Sequence, residues 1–133
     1  GTQNAGLAMG GTTPVANTEE YDGTSWTAGG TMAIGRSFAA GAGIQSAALA
    51  MGGITPSVTA YTEAYNGINW SVQTPLITLT TFGMGIGVQD SALVAGGDND
   101  NGSAANVFEY SCVNQVLGAG KCNWIGKVNF VTG

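Results

Sequence analysis

The string AGLAMGG at 5–11 returns as AALAMGG at 47–53 and as SALVAGG at 91–97, and its recurrence decides the fold. A second block follows each copy: TEEYDGTSW at 18–26, TEAYNGINW at 62–70, and VFEY with a later NW between 107 and 124. A third block, RSFAAGAGIQ at 36–45 and TTFGMGIGVQ at 80–89, precedes the second and third copies. The paired glycines at 10–11, 52–53 and 96–97 step by 42 and 44 residues, and Tyr21, Tyr65 and Tyr110 by 44 and 45. Self-similarity at a fixed period of this length is the signature of a repeat architecture.

Each unit reads as four short strands. The run that ends in Gly-Gly is a strand of small residues around a Leu or Met, and the glycines allow a tight exit. TEEYDG and TEAYNG alternate outward polar residues with an inward aromatic and close on Asp-Gly or Asn-Gly. That dipeptide predicts a two-residue hairpin in which both central residues take positive φ. The next strand begins at Trp26, Trp70 or Trp124. The Ala/Gly-rich stretch around Phe38 and Phe82 supplies the fourth, innermost strand, where small side chains suit crowded backbones. Helical periodicity is absent and glycine too frequent for a long helix, so the expected class is all-β.

Composition narrows function by exclusion. The 133 residues carry 3 Lys+Arg against 8 Asp+Glu, a formal net charge of -5, no His, and 8% charged residues. That charged share is about a third of the usual one. Nucleic acid or an anionic bilayer needs a dense basic patch, so neither is an expected partner. Without imidazole there is no Ser-His-Asp triad and no His-ligated zinc or copper. No run of 18 apolar residues occurs, and no basic-then-apolar leader is visible. Gly1 in the place of Met marks a processed chain or a piece of a longer one.

A unit of about 44 residues with Gly-Gly, Tyr and Trp at fixed offsets resembles the kelch repeat of β-propellers. Gly10-Gly11, Gly52-Gly53 and Gly96-Gly97 match the family's double glycine, Tyr21, Tyr65 and Tyr110 its tyrosine, and Trp26, Trp70 and Trp124 its tryptophan. Arg36 stands where many kelch repeats carry arginine, with Thr80 and Lys127 assigned to that place in the other units. The low-charge Ala/Thr/Gly-rich wording is similar to repeat proteins of phage tails and fibres. The resemblance implies kelch-like blades over one segment, 1–133, with repeats at about 1–35, 36–79 and 80–133.

The segment 129–133, NFVTG, looks like the start of an inner strand, and GTQNAGL at 1–7 looks like its continuation. Blade one therefore lacks its own inner strand, and the C-terminal strand is the spare copy. A propeller closes with about 4–8 blades. Two chains forming a six-bladed ring, an arc of a longer propeller, and an unusual three-blade closure all stay open. The expected partners are other copies of the chain or the rest of a longer propeller.

In the third unit nine extra residues separate Tyr110 from Trp124, with Cys112 and Cys122 at the two ends. A hairpin brings its ends within bonding distance, which predicts a Cys112–Cys122 disulfide, and with it an oxidising compartment or a virion surface. Binding loops are expected on the face beyond the Gly-Gly strands, carrying Thr12, Thr13, Asn17, Thr55, Ser57, Asp98, Asn99 and Asn101. Asp98 and Asp100, two apart beside a glycine, are a weak calcium candidate that departs from the EF-hand string at Gly102. Asn69 and Asn101 head formal glycosylation triplets. Glu19, Glu20 and Asp22 read as solvent-facing strand residues rather than a glycosidase pair. The Tyr and Trp residues read as packing between blades, and Met9, Met32, Met51 and Met84 as core fillers.

These readings predict no catalytic residues and no cofactor. The leading expectation is a non-enzymatic structural or receptor-recognition module on a virion or cell surface, such as a phage tail or fibre component. The alternative is a lectin-like propeller that binds glycans. A copper oxidase, which kelch kinship would suggest, fails for want of imidazoles unless these lie outside the 133 residues.

Overall fold

The computed structural model describes residues 1–78, 80–99, 102–103, 106–112 and 122–127. Among these residues the chain is all-β, with strands β1 (Gly6–Met9), β2 (Thr18–Tyr21), β3 (Trp26–Ala28), β4 (Ala40–Ile44), β5 (Ala47–Met51), β6 (Thr62–Tyr65) and β7 (Trp70–Gln73). They continue as β8 (Met84–Val88), β9 (Ser91–Ala95), β10 (Asp98–Asn99), β11 (Gly102–Ser103), β12 (Val107–Ser111) and β13 (Asn123–Lys127). Pairing is antiparallel throughout. The first sheet is β1-β2-β3, the second β4-β5-β6-β7, and the third β8-β9-β12-β13, with β10 and β11 as a separate hairpin. Each sheet thus gathers the strands of one sequence unit.

Registers repeat from sheet to sheet. Gly6 faces Tyr21 across β1 and β2, Ala48 faces Tyr65, and Ala92 faces Tyr110. Each Tyr in turn faces a Trp: Trp26, Trp70 or Trp124. The rings of these pairs lie 5.0, 4.9 and 4.9 Å apart and tilted. The first sheet has only the beginning of a fourth strand, a bridge between Thr2 and Ala5 that matches the Ile44–Ala47 closure of β4 and β5. The segment 129–133, read above as the spare inner strand, lies outside the described residues.

The hairpin turns differ from the two-residue form expected of Asp-Gly and Asn-Gly. Tyr21 pairs with Trp26 and Tyr65 with Trp70, so each loop has four residues. The Asp22 carboxylate accepts from the backbone N–H of Thr24 and Ser25, each at 2.8 Å, and Asn66 Oδ1 accepts from Ile68 and Asn69 at 2.9 and 2.8 Å. These side-chain bonds stand in for a tighter backbone turn. Only the glycines, Gly23 and Gly67, take positive φ there.

The sheets stack face to face, and the alternation of each strand divides its residues between a leading and a trailing face. Leu49 and Met51 trail from the second sheet onto Ala92, Val94, Phe108, Tyr110 and Trp124 of the third, which forms the buried core. The innermost strands come closest. A Cβ on Gly85 of β8 would overlap the Gly41 carbonyl oxygen of β4, so at Gly85 the close approach of the two backbones favours glycine.

Lys127 ends β13 opposite Val107, the place that Gln73 holds opposite Thr62 in the second sheet. It is therefore not the counterpart of Arg36. Thr80 is, because its carbonyl accepts from Gly53 as that of Arg36 does from Gly11. Met51 and Met32 are buried, but Met84 is 73% exposed on the uncovered face of the third sheet, which corrects its reading as a core filler.

Candidate binding face

The loops after β1, β5 and β9 leave their sheets at the same end as the links from one sheet to the next, and backbone bonds tie the two sets together. Val15 bridges Arg36, Ser37 bridges Ile54, and Thr81 bridges Asp98. The last exchange is tight, with N–H to carbonyl distances of 2.8 and 2.7 Å. The loop after β1 is thereby anchored to the segment that enters the second sheet, and the loops after β5 and β9 to the segments that enter their own sheets. Thr12, Thr13, Asn17 and Ser57 stand exposed on this face, while Thr55, Asp98 and Asn99 are half-buried. Asp98 is held by its backbone, and Asn99 pairs with Gly102 across the β10–β11 hairpin. Asn101 and Asp100 lie outside the described residues. Among the described residues no three His, Cys, Asp or Glu side chains converge as a metal set.

Two residues of this face escaped the sequence reading. Phe38 and Phe82 sit just before the inner strands at φ 55, the only non-glycine residues in the left-handed region among those described. A bulky side chain there is a steric outlier that costs about 1–3 kcal/mol. Their rings stack at 4.5 Å and remain 43% and 55% exposed. Phe82 N–H donates to the Phe38 carbonyl at 3.1 Å, which passes the arrangement from one sheet to the next. The signal was present as RSF and TTF at equal offsets, but a Phe in a small-residue run reads as core.

The charged residues serve the stacking of the sheets. Arg36 and Glu63 form a fully buried ion pair. The guanidinium also donates to the carbonyls of Gly52 and Tyr61 at 3.1 and 2.8 Å, and Glu63 accepts from Ala33 N–H at 2.6 Å. Burial lowers the pKa of Arg36, against the opposing pull of Glu63. Glu63 shares the strand face of Tyr65, two residues on, and the arginine meets its charge there. Glu20 is likewise no solvent-facing residue: it accepts the hydroxyl of Tyr65, whose pKa rises through burial and then this bond. Asp22 is exposed, and the N–H groups of Ser25 and Thr24 lower its pKa.

At the opposite end of the third sheet Cys112 and Cys122 are joined by a disulfide, as their spacing predicted. It closes the mouth of the β12–β13 hairpin. Beside it lies a cleft of about 210 Å³ between the second and third sheets, lined among others by Asn66, Gln89, Asp90 and Tyr110. Burial, then the charge of Asp90, pushes the Tyr110 phenol up to about 12.

No family model matches the chain, and no curated protein matches it in sequence. Among solved structures it is similar to one titled "Structure of YjhT", with a TM-score of 0.64 and 12% identity over 83% of this chain. At that identity the likeness shows an all-β fold of antiparallel sheets and nothing of activity. The match spans only 38% of the length of that protein.

Proposed function

We propose that the three sheets are consecutive blades of a kelch-type β-propeller, and that the chain is a non-enzymatic structural or receptor-recognition module on a virion or cell surface. A phage tail or fibre component is the setting that its composition fits. The observation that carries this reading is the exposed Phe38–Phe82 stack, held in a strained backbone on the face where anchored loops cluster. Strain of this kind persists where the surrounding structure enforces it, and it gathers at ligand clamps. Two further observations support the reading: Arg36, Glu63 and Glu20 are engaged in holding sheets together, and the disulfide is compatible with an oxidising exterior.

The same Phe stack favours the second reading, a lectin-like module, because a flat apolar ring face is what a sugar ring stacks on. Adsorption of the fluorescently labelled chain to bacterial cells, with a glycan array in parallel, tests both. Saturable adsorption that Phe38→Ala with Phe82→Ala reduces at least tenfold is the expected result. Array binding lost in the same variant decides for the glycan reading. Absence of binding on cells and array, or binding indifferent to both Phe residues, contradicts the proposal.

A further inference from the structure

Each boundary between sheets is fastened by one glutamine. Gln45, in the turn from β4 to β5, donates from Nε2 to the carbonyls of Gly6 and Tyr21 in the sheet before it, at 2.9 and 2.8 Å. Gln89, in the turn from β8 to β9, donates in the same way to Ala48 and Tyr65, at 3.1 and 2.6 Å. The donors occupy one repeat position, and the acceptors are one repeated pair.

That pattern has a third member at each end of the chain. Gln3 holds the same place in the Thr2–Ala5 turn as Gln45 does in the Ile44–Ala47 turn, yet it is exposed, and no sheet precedes it among the described residues. Ala92 and Tyr110 form the third acceptor pair, facing each other across β9 and β12, and no sheet follows them among the described residues. A cavity of about 340 Å³ opens beside them, lined by Ile86, Gly87, Ser91, Ala92, Leu93 and Glu109.

Side-chain exposure tells the same story. Trp124 is 4% exposed because it lies on the second sheet, with its indole N–H donating to Thr62 Oγ1 at 3.2 Å. Trp70 donates to Thr18 Oγ1 of the first sheet at 2.8 Å. Trp26, their counterpart on the leading face of the first sheet, is 52% exposed. On the trailing face of the third sheet Met84, Ile86, Leu93 and Ile125 are exposed in turn. One chain thus carries both unmatched halves of a contact that it makes twice internally.

We propose that a second copy of this chain seats head to tail on the first, the leading face of its first sheet on the trailing face of the third. Gln3 of one copy enters the cavity and donates to the carbonyls of Ala92 and Tyr110 of the other. Trp26 covers Leu93 and its neighbours, packing against Val107, which stands where Thr18 and Thr62 accept an indole. The inference rests on the reading of the sheets as consecutive blades. Six blades fall within the range that closes, and a heterologous contact used twice closes a two-fold ring instead of an open fibre.

The test is sedimentation equilibrium of the full chain, with Gln3→Ala and Leu93→Glu beside it. Both residues are exposed, so circular dichroism should show each variant folded. The expected species has twice the 13.3 kDa chain mass. Gln3→Ala should raise the dimer dissociation constant about a hundredfold, the effect of two hydrogen bonds lost at each of the two contacts. Leu93→Glu should leave a folded monomer. A monomeric parent chain, an open series of larger species, or a dimer indifferent to both changes overturns the proposal. Cell adsorption is read separately: a monomer that still adsorbs defeats the seating alone, and a dimer that adsorbs to nothing defeats the functional reading alone.

Discussion

At the scale of single residues, the segment that links the first two sheets is fastened to the second by a buried charge pair, and the next link has neither charge. Thr80 and Phe108 take the places of Arg36 and Glu63, as the Gly53–Thr80 bond and the Val94–Phe108 register show. Breaking a buried pair strands one charge, so Glu63→Gln or Arg36→Met should cost about 3–5 kcal/mol in urea unfolding. The double change Arg36→Thr with Glu63→Phe copies the third sheet and should cost less than the sum of its single changes. A double-mutant cycle measures that coupling.

Tyr110 gives a prediction in pH. Its phenol is pushed up to about 12, above the roughly 10 of an unfolded tyrosine. The neutral phenol therefore supports the fold fully below pH about 10, and this support is lost as pH rises through 12. The denaturation midpoint should fall over that interval, and Tyr110→Phe should flatten the fall. Little of this was legible in the sequence. Alternation puts Glu63 on the face of Tyr65, but nothing in the strand shows that Arg36, 27 residues earlier, meets it there.

At the scale of elements, strand identity was legible and turn geometry was not. Glycine pairs, aromatic offsets and small-residue runs mark the strands, because they encode alternation and close approach in local sequence. The four-residue loops at Asp22 and Asn66 depend on a side chain bonding two N–H groups, which the dipeptide does not distinguish from a tight turn. The inner-strand glycines are unequal in a way that geometry alone exposes. A methyl group on Gly41 would meet the mobile end of Met9, but one on Gly85 would meet the Gly41 carbonyl. Gly85→Ala should cost about 1–3 kcal/mol, and Gly41→Ala less than about 1 kcal/mol, in thermal unfolding. The disulfide was legible from spacing, since a hairpin joins its ends. Cys112→Ser with Cys122→Ser should cost about 2–3 kcal/mol, and reductant should lower the melting temperature of the parent chain while leaving the variant unchanged.

At the scale of the whole molecule, the sequence announces three units and their order, because a repeat shows itself by self-similarity. What fastens the units did not show. The glutamines at 3, 45 and 89 look like ordinary turn residues until their hydrogen bonds are seen, and Phe38 and Phe82 look like core until their φ is seen. The proposed head-to-tail seating makes the three sheets half of a ring that a second copy completes through these repeated contacts. Electron microscopy of the purified chain, with class averages viewed down the channel, tests it most directly. Head-to-tail seating should give closed particles of six sheets around a central channel with two-fold symmetry. Three-sheet wedges with both end faces bare would contradict it.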